Sequence, residues 1–278
     1  MKKTLNIGGK LLDLSTPQVM GILNITPDSF YSESRVTQLE EAYKKAERML
    51  SEGASILDLG GHSTRPGADA VSEEEETGRI LPVVEMLRKH FPNAVLSIDT
   101  FRASVARKAV KAGAHIINDI AGGNLDSRMF ETVAFLKVPY ILMHSRGTPQ
   151  TMKDLNQYDD LVTDVLRELQ AKIDQLQQLG VKDIVADMGF GFAKNADQNY
   201  VLLNALQSFQ VLNVPILAGV SRKSMIWRKL DITPDKSLNG TTVLNTVALL
   251  NGAGILRVHD VKEAVEAVKL VGLLRREC

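Results

Sequence analysis

The chain has a single cysteine, and it is the last residue, Cys278. That excludes a disulfide framework and a thiolate metal cluster within the chain. Neither sign of charge is in surplus: 33 lysines and arginines balance 33 aspartates and glutamates. An electrostatic nucleic-acid binder needs a basic excess, so none is expected. The 5 histidines form no HxH or HExxH pair, which argues against a zinc site. No apolar run is long enough to span a bilayer, so no membrane partner is expected. The opening "MKKTLNIGGKLLDLST" has two lysines but no continuous apolar stretch. No signal peptide is therefore expected, and a cytoplasmic setting is. Nothing reads as a linker, a repeat array or low complexity, so the 278 residues predict one domain over 1–278.

What the sequence does contain is a series of short apolar runs. They are "QVMGILN" (18–24), "SILDLGG" (55–61), "AVLSIDT" (94–100), "HIINDI" (115–120), "PYILMH" (139–144), "DIVADMG" (183–189), "PILAGVS" (215–221) and "GILRVHD" (254–260). Rich in Val, Ile and Leu, they have the character of parallel strands buried on both faces. Each is followed by a segment of helical period. Leu39, Ala42, Tyr43, Ala46, Met49 and Leu50 fall on one face, and Leu161, Val165, Leu169, Ile173 and Leu176 form another stripe. Ser72 with Glu75 predicts a capping box, and the run Glu73–Glu76 reads as acid at a helix N-terminus rather than as a metal site.

Eight strand–helix repeats predict an α/β fold, a single (β/α)8 TIM barrel. A doubly wound open sheet is the competitor, but no GxGxxG follows the first strand. Residues 1–17 precede the first strand and predict a short N-terminal hairpin around Gly8-Gly9, closing the barrel bottom.

Barrel chemistry sits at the C-terminal strand ends. Those ends carry Asn24, Gly60-Gly61 leading to Thr64 and Arg65, Asp99, Asn118 with Asp119, His144, Asp187, the Ser221–Ser224 stretch, and Arg257 with His259. Arg65, Arg257 and His259 suit a phosphate or pyrophosphate. Asp99, Asn118 and Asp187 offer acceptors and an amide suited to a flat nitrogen heterocycle, and Lys223 suits a carbonyl or ring nitrogen of the same ring. Phe190 and Phe192 are candidates for an apolar wall.

In this order, the fragments "MGILNITPDSF" (20–30), "GGHSTRPGA" (60–68), "SIDT" (97–100), "INDIAGG" (117–123), "MHSRGTPQTM" (143–152), "DMGFGFAKN" (187–195), "SRKS" (221–224) and "LRVHDVKEAVEAVKL" (256–270) resemble the dihydropteroate synthase family nearly end to end. The resemblance implies a folate-pathway transferase, the target of sulfonamides. Such an enzyme condenses a 7,8-dihydropterin CH2-pyrophosphate with p-aminobenzoate, giving dihydropteroate and pyrophosphate. It implies pterin contacts from Asp99, Asn118, Met143, Asp187 and Lys223, and pyrophosphate contacts from Arg65, Arg257 and His259. It also implies a p-aminobenzoate site of Phe30, Thr64, Pro66, Phe192 and Ser224, and Mg2+ held with the help of Asn24. Arg65, Lys223, Asp99 and Asp187 are the implied catalytic groups, and the implied assembly is a homodimer through late barrel helices.

The chain departs from the family pattern at Ser32-Glu33-Ser34, His62, Ser145 and Met188. At His62 the expectation is a loop position tolerant of several polar side chains, set against a pH-sensitive contact near the anion site. Two alternatives stand beside the synthase reading: a pterin-binding methyltransferase domain, and a catalytically impaired pterin-binding protein.

Overall fold

The computed structural model describes residues 3–25, 35–62, 71–148 and 151–274, apart from the side chains of 35, 36 and 153. The chain opens with β1 (Thr4–Ile7) and β2 (Lys10–Asp13), an antiparallel hairpin. Both residues of its turn, Gly8 (φ 56°) and Gly9 (φ 94°), are left-handed, a conformation glycine adopts without steric cost.

Then strands and helices alternate. The strands are β3 (Gln18–Asn24), β4 (Ile56–Gly60), β5 (Val95–Asp99), β6 (Ile116–Asp119), β7 (Tyr140–Met143), β8 (Ile184–Asp187), β9 (Ile216–Ala218) and β10 (Ile255–Val258). Each lies inside the apolar run that predicts it. Between and after them come α1 (Arg35–Ser51), α2 (Glu73–His90), α3 (Ala103–Lys111), α4 (Met129–Leu136), α5 (Leu161–Gln178), α6 (Ala196–Asn204), α7 (Ser224–Trp227), α8 (Leu238–Leu250) and α9 (Val261–Leu274). The strands close in the order β10-β3-β4-β5-β6-β7-β8-β9, every neighbouring pair parallel. This is the expected TIM barrel. No described helix is long and apolar enough to cross a membrane.

Side-chain parity divides the core in two, because successive strand residues point to opposite faces. One set faces the helices: Leu57, Leu59, Leu96, Ile98, Ile117, Tyr140, Leu142, Ile184, Ala186, Ile216, Ala218, Leu256 and Val258 pack with the buried stripes of α1 to α9. The other set fills the lumen floor: Met20, Ile56, Ile116, Ile141, Val185, Leu217 and Ile255, joined by Leu5, Ile7 and Leu14. The hairpin therefore plugs the barrel from below, as expected. Full burial of Leu5 contributes about 2 kcal/mol relative to exposure, and it is 1% exposed.

The start of α2 departs from expectation. Ser72 caps it, accepting the Glu75 N–H at 3.1 Å. The reciprocal half of a capping box is absent, because the Glu75 carboxylate pairs with Arg79 on the next turn. Glu73–Glu76 fill the first turn of the helix as expected, but Glu76 does not face solvent. It is fully buried and pairs with Arg102. Periodicity places it on the helix face that packs inward, and a buried carboxylate needs a cation.

Candidate active site

The same parity that builds the floor builds the mouth. Two residues above the lumen's apolar layer, five strands present their next inward side chain at the mouth. Asp58 follows Ile56, Asn118 follows Ile116, Met143 follows Ile141, Asp187 follows Val185 and Arg257 follows Ile255. On β5 the inward pair is Ser97 and Asp99. Six of the expected residues, Asp99, Asn118, Met143, Asp187, Lys223 and Arg257, share this end of the barrel.

Arg257 sits at the centre. Its Nε–H donates to Asp58 Oδ2 and its Nη2–H to Asp99 Oδ2, both at 2.6 Å. Asn118 Nδ2 donates to the same Asp58 oxygen at 2.9 Å. Burial opposes the guanidinium's charge, but Asp58 and Asp99 outweigh it and hold Arg257 more firmly protonated than usual. Burial likewise pushes Asp99 up to about 6, against the pull of Arg257. Expected beside His259 as an anion ligand, Arg257 also pairs with the mouth carboxylates Asp58 and Asp99. Its Nη1 makes no hydrogen bond among the described residues.

Asp187 and Lys223 form the opposite wall. Burial raises Asp187, and Lys223 is the leading influence holding it down. Burial also lowers Lys223 to about 8, with Asp187 opposing the change. The Lys223 ammonium donates to Phe190 O and lies 4.9 Å from the centre of the Phe192 ring. Phe192 is half-buried at this wall, whereas Phe190 is fully buried and belongs to the core. Ser224 opens α7 directly after Lys223. His259 and Ser221 hold each other: Ser221 Oγ lies 3.1 Å from His259 Nδ1 and accepts the His259 N–H at 3.1 Å.

Asn24 ends β3 beside Gly60. A Cβ on Gly60 would stand 3.5 Å from Asn24 Oδ1 and 3.8 Å from Asp99 Oδ2. Its absence leaves room for a ligand beside those oxygens. Among the described residues no three carboxylate, histidine or cysteine groups converge as a metal cage. A lone amide oxygen nonetheless fits a Mg2+ ion that keeps water and takes its other ligands from substrate phosphates.

Two polar strand ends face away from the mouth. Asp119 turns outward and accepts from Tyr140 Oη and from the Ala121 and Gly123 amides. His144 turns outward to Glu168 and Lys194, a hydrogen-bonded role rather than a metal ligand's. His62, at the bend after β4, is largely enclosed. Its side chain is 9% exposed, 3.7 Å from Glu76 Oε1, with its ring edge-on to Phe101. Phe30, Thr64, Arg65 and Pro66 lie outside the described residues, as do Ser32-Glu33-Ser34. Asp58 is the residue that sequence reasoning missed. The signal was present: a lone acid in "ILDLG", two places from a floor isoleucine and therefore on the lumen face.

Comparison with known proteins adds an independent result. A family model described as "Pterin binding enzyme" matches residues 20–259. The dihydropteroate synthase of Escherichia coli strain K12 is 45% identical over 265 residues, covering 95% of this chain and 93% of that protein. The Yersinia pestis dihydropteroate synthase, solved in a sulfonamide drug complex, superposes with a TM-score of 0.92 at 44% identity, covering 98% of this chain and 99% of the other. The Xanthomonas albilineans dihydropteroate synthase, solved with 7,8-dihydropteroate, gives 0.88 at 36% identity, covering 99% and 100%.

Proposed function

We infer the roles of the mouth residues from one premise: the chain belongs to the dihydropteroate synthase family. It is a transferase of folate biosynthesis, joining a 7,8-dihydropterin CH2-pyrophosphate to p-aminobenzoate to give 7,8-dihydropteroate and pyrophosphate.

One observation supports a pterin at the mouth. Asp99 Oδ1 is buried without a hydrogen-bond donor among the described residues, in a side chain 7% exposed at the mouth. A buried acceptor of this kind calls for a donor. The amino and ring N–H groups on the edge of the dihydropterin supply one. Asp99, Asn118 and Asp187 then face the ring edge, Lys223 donates to it, and Met143 packs on its face. Phe192 and Ser224, next to Lys223, line the arylamine side together with Phe30, Thr64 and Pro66.

Breaking the C–O bond leaves positive charge on the pterin methylene and added negative charge on pyrophosphate. Asp99 and Asp187 stabilise the first, and preorganised charges of this kind cost no reorganisation when the reaction occurs. Arg65, the remaining Arg257 Nη1 donor and His259 receive the second. Asn24 would hold Mg2+, which supplies Lewis-acid stabilisation of the leaving group when bound. The arylamine nitrogen attacks the electron-poor methylene as the C–O bond breaks and then releases a proton to solvent, so no protein nucleophile is required.

The exposed Leu250, Leu270, Leu273 and Leu274 on α8 and α9 support a homodimer through this face. A lone cysteine supports a reducing, cytoplasmic setting.

The test is direct. Purified protein is mixed with the dihydropterin pyrophosphate, p-aminobenzoate and Mg2+, and dihydropteroate is followed for wild type and Asp99→Asn. Product from wild type and a large loss in the variant are expected. Full activity in Asp99→Asn would remove Asp99 from the site.

A further inference from the structure

Outside the lumen, beneath the turn at residues 189–192, lies a second set of ionisable groups. Lys194 Nζ is 2.9 Å from His144 Nδ1, 3.0 Å from Phe192 O and 3.2 Å from Gly189 O. His144 Nε2 is 3.1 Å from Glu168 Oε2, and the other Glu168 oxygen pairs with Arg146.

The donors and acceptors can be balanced. An ammonium has three N–H donors, and Lys194 meets three acceptors: one ring nitrogen and two carbonyls. His144 then accepts at Nδ1 and carries its proton on Nε2, which it donates to Glu168. A neutral lysine has two donors, so one of the three acceptors loses its partner. The other arrangement moves the proton from Lys194 Nζ to His144 Nδ1, which donates it back to the amine lone pair. That puts the charge on an imidazole 3% exposed. Burial, with Lys194 nearby, lowers His144 to about 4. Lys194, lowered chiefly by burial, comes down only to about 7. The shared proton therefore rests on Lys194.

The turn depends on this support. Gly189, Gly191 and Ala193 all have left-handed φ, at 66°, 80° and 50°. For alanine that conformation carries a steric cost. Gly189 runs so close to His144 O that a Cβ would stand 2.0 Å from it. Lys194 holds the first and last carbonyls of the turn. The carbonyl of Phe190 between them accepts from Lys223, and the Phe192 ring faces that same ammonium. Two lysines thus grip one turn from opposite sides.

We propose that Lys194 is a positioning residue for the transfer reaction: set by His144 and Glu168, its ammonium holds the 189–192 turn in the shape that places Lys223 and Phe192 at the substrate pocket. This rests on the assignment of Lys223 and Phe192 to that pocket. Asp187 and Glu168 favour the Lys194 charge, whereas Lys223 and Arg146 oppose it. As pH rises past neutrality the ammonium loses a proton, an acceptor of the turn loses its donor, and kcat/KM falls reversibly. Lys223 also titrates on the alkaline side, but Asp187, Arg257 and Asp99 influence it rather than Glu168. Glu168→Gln therefore separates the two lysines.

The experiment is steady-state kinetics from about pH 6 to about pH 9, on wild type, Lys194→Met, Lys194→Arg, Glu168→Gln and Lys223→Met, each checked by circular dichroism. Lys194→Met is expected to lose kcat/KM on the order of tenfold through misplacement of the pocket. Lys194→Arg, which cannot deprotonate in this range, recovers part of the activity and moves the alkaline limb upward. Glu168→Gln moves that limb to lower pH. Wild-type kcat/KM in Lys194→Met overturns the proposal, as does an alkaline limb unmoved in both Lys194→Arg and Glu168→Gln. Should Lys194→Met fail to fold, the latter two variants decide. Wild-type activity in Lys223→Met overturns the pocket assignment instead; impaired Lys223→Met beside unimpaired Lys194→Met overturns this proposal alone.

Discussion

Asp58 accepts the Arg257 Nε–H at 2.6 Å from a strand that is not its neighbour. β3 lies between their strands, so the bond crosses part of the lumen. Asp58 is completely buried and Arg257 partly so, and the same carboxylate oxygen also accepts from Asn118. One acid thereby fixes two groups assigned to substrate.

Asp58→Asn is expected to weaken both activity and stability. Breaking a buried pair costs about 3 kcal/mol when one partner keeps a second contact, and Arg257 keeps Asp99. Urea unfolding measures the stability loss, and pterin titration calorimetry measures the accompanying loss of affinity. Unchanged pterin affinity in a destabilised variant would confine Asp58 to the fold.

Activity is expected to fall on the acid side through about pH 6, because Asp99 takes up a proton there instead of near 3.8. Ionised Asp99 is the partner of Arg257 and, in the role proposed above, the acceptor for the pterin edge. The effect on stability has the opposite sign. A carboxyl whose folded pKa is raised binds its proton more tightly when folded, so its contribution to stability grows as pH falls through about 6. A pH profile of kcat/KM beside one of the melting temperature separates the two trends.

Lys223→Ala and Arg65→Ala are expected to differ in kind. The first loses pterin affinity, seen with a pterin lacking the pyrophosphate. The second binds that pterin normally and loses kcat with the full substrate, since it removes stabilisation of the leaving group. Equal, negligible effects in the two variants would show the division of the site to be wrong.

Chelation of Mg2+ with EDTA is expected to abolish turnover, and Asn24→Ala to raise the Mg2+ concentration needed for half-maximal rate. Activity independent of Mg2+ in both proteins would remove the metal from the reaction. Magnesium titration at saturating substrates provides the measurement.

Much of the architecture was legible in the chain. A parallel strand covered on both faces must be apolar nearly throughout, so "QVMGILN" and "PYILMH" announce themselves without any partner in view. Gly8-Gly9 announces its turn because few other residues accept left-handed φ in succession. Polar residues ending apolar strands marked the mouth. The start of α2 was less readable: "SEEEE" looks alike whether its acids are solvated or buried, and only the approach of Arg102 from the segment after β5 makes Glu76 an interior ion.

By itself, the sequence determined where the strands lie, that they alternate with helices, and which end of them carries chemistry. Those properties depend on local periodicity and solvation, which each segment carries alone. Tertiary structure decided which member of each neighbouring pair reaches the lumen: Asn118 rather than Asp119, Met143 rather than His144. It also decided that Asp58 and Arg257, 199 residues apart, share a hydrogen bond, and that Lys194 meets its three acceptors under the 189–192 turn. Strand parity is set by barrel closure, and a buried charge takes its partner from whichever strand the closed barrel brings within reach.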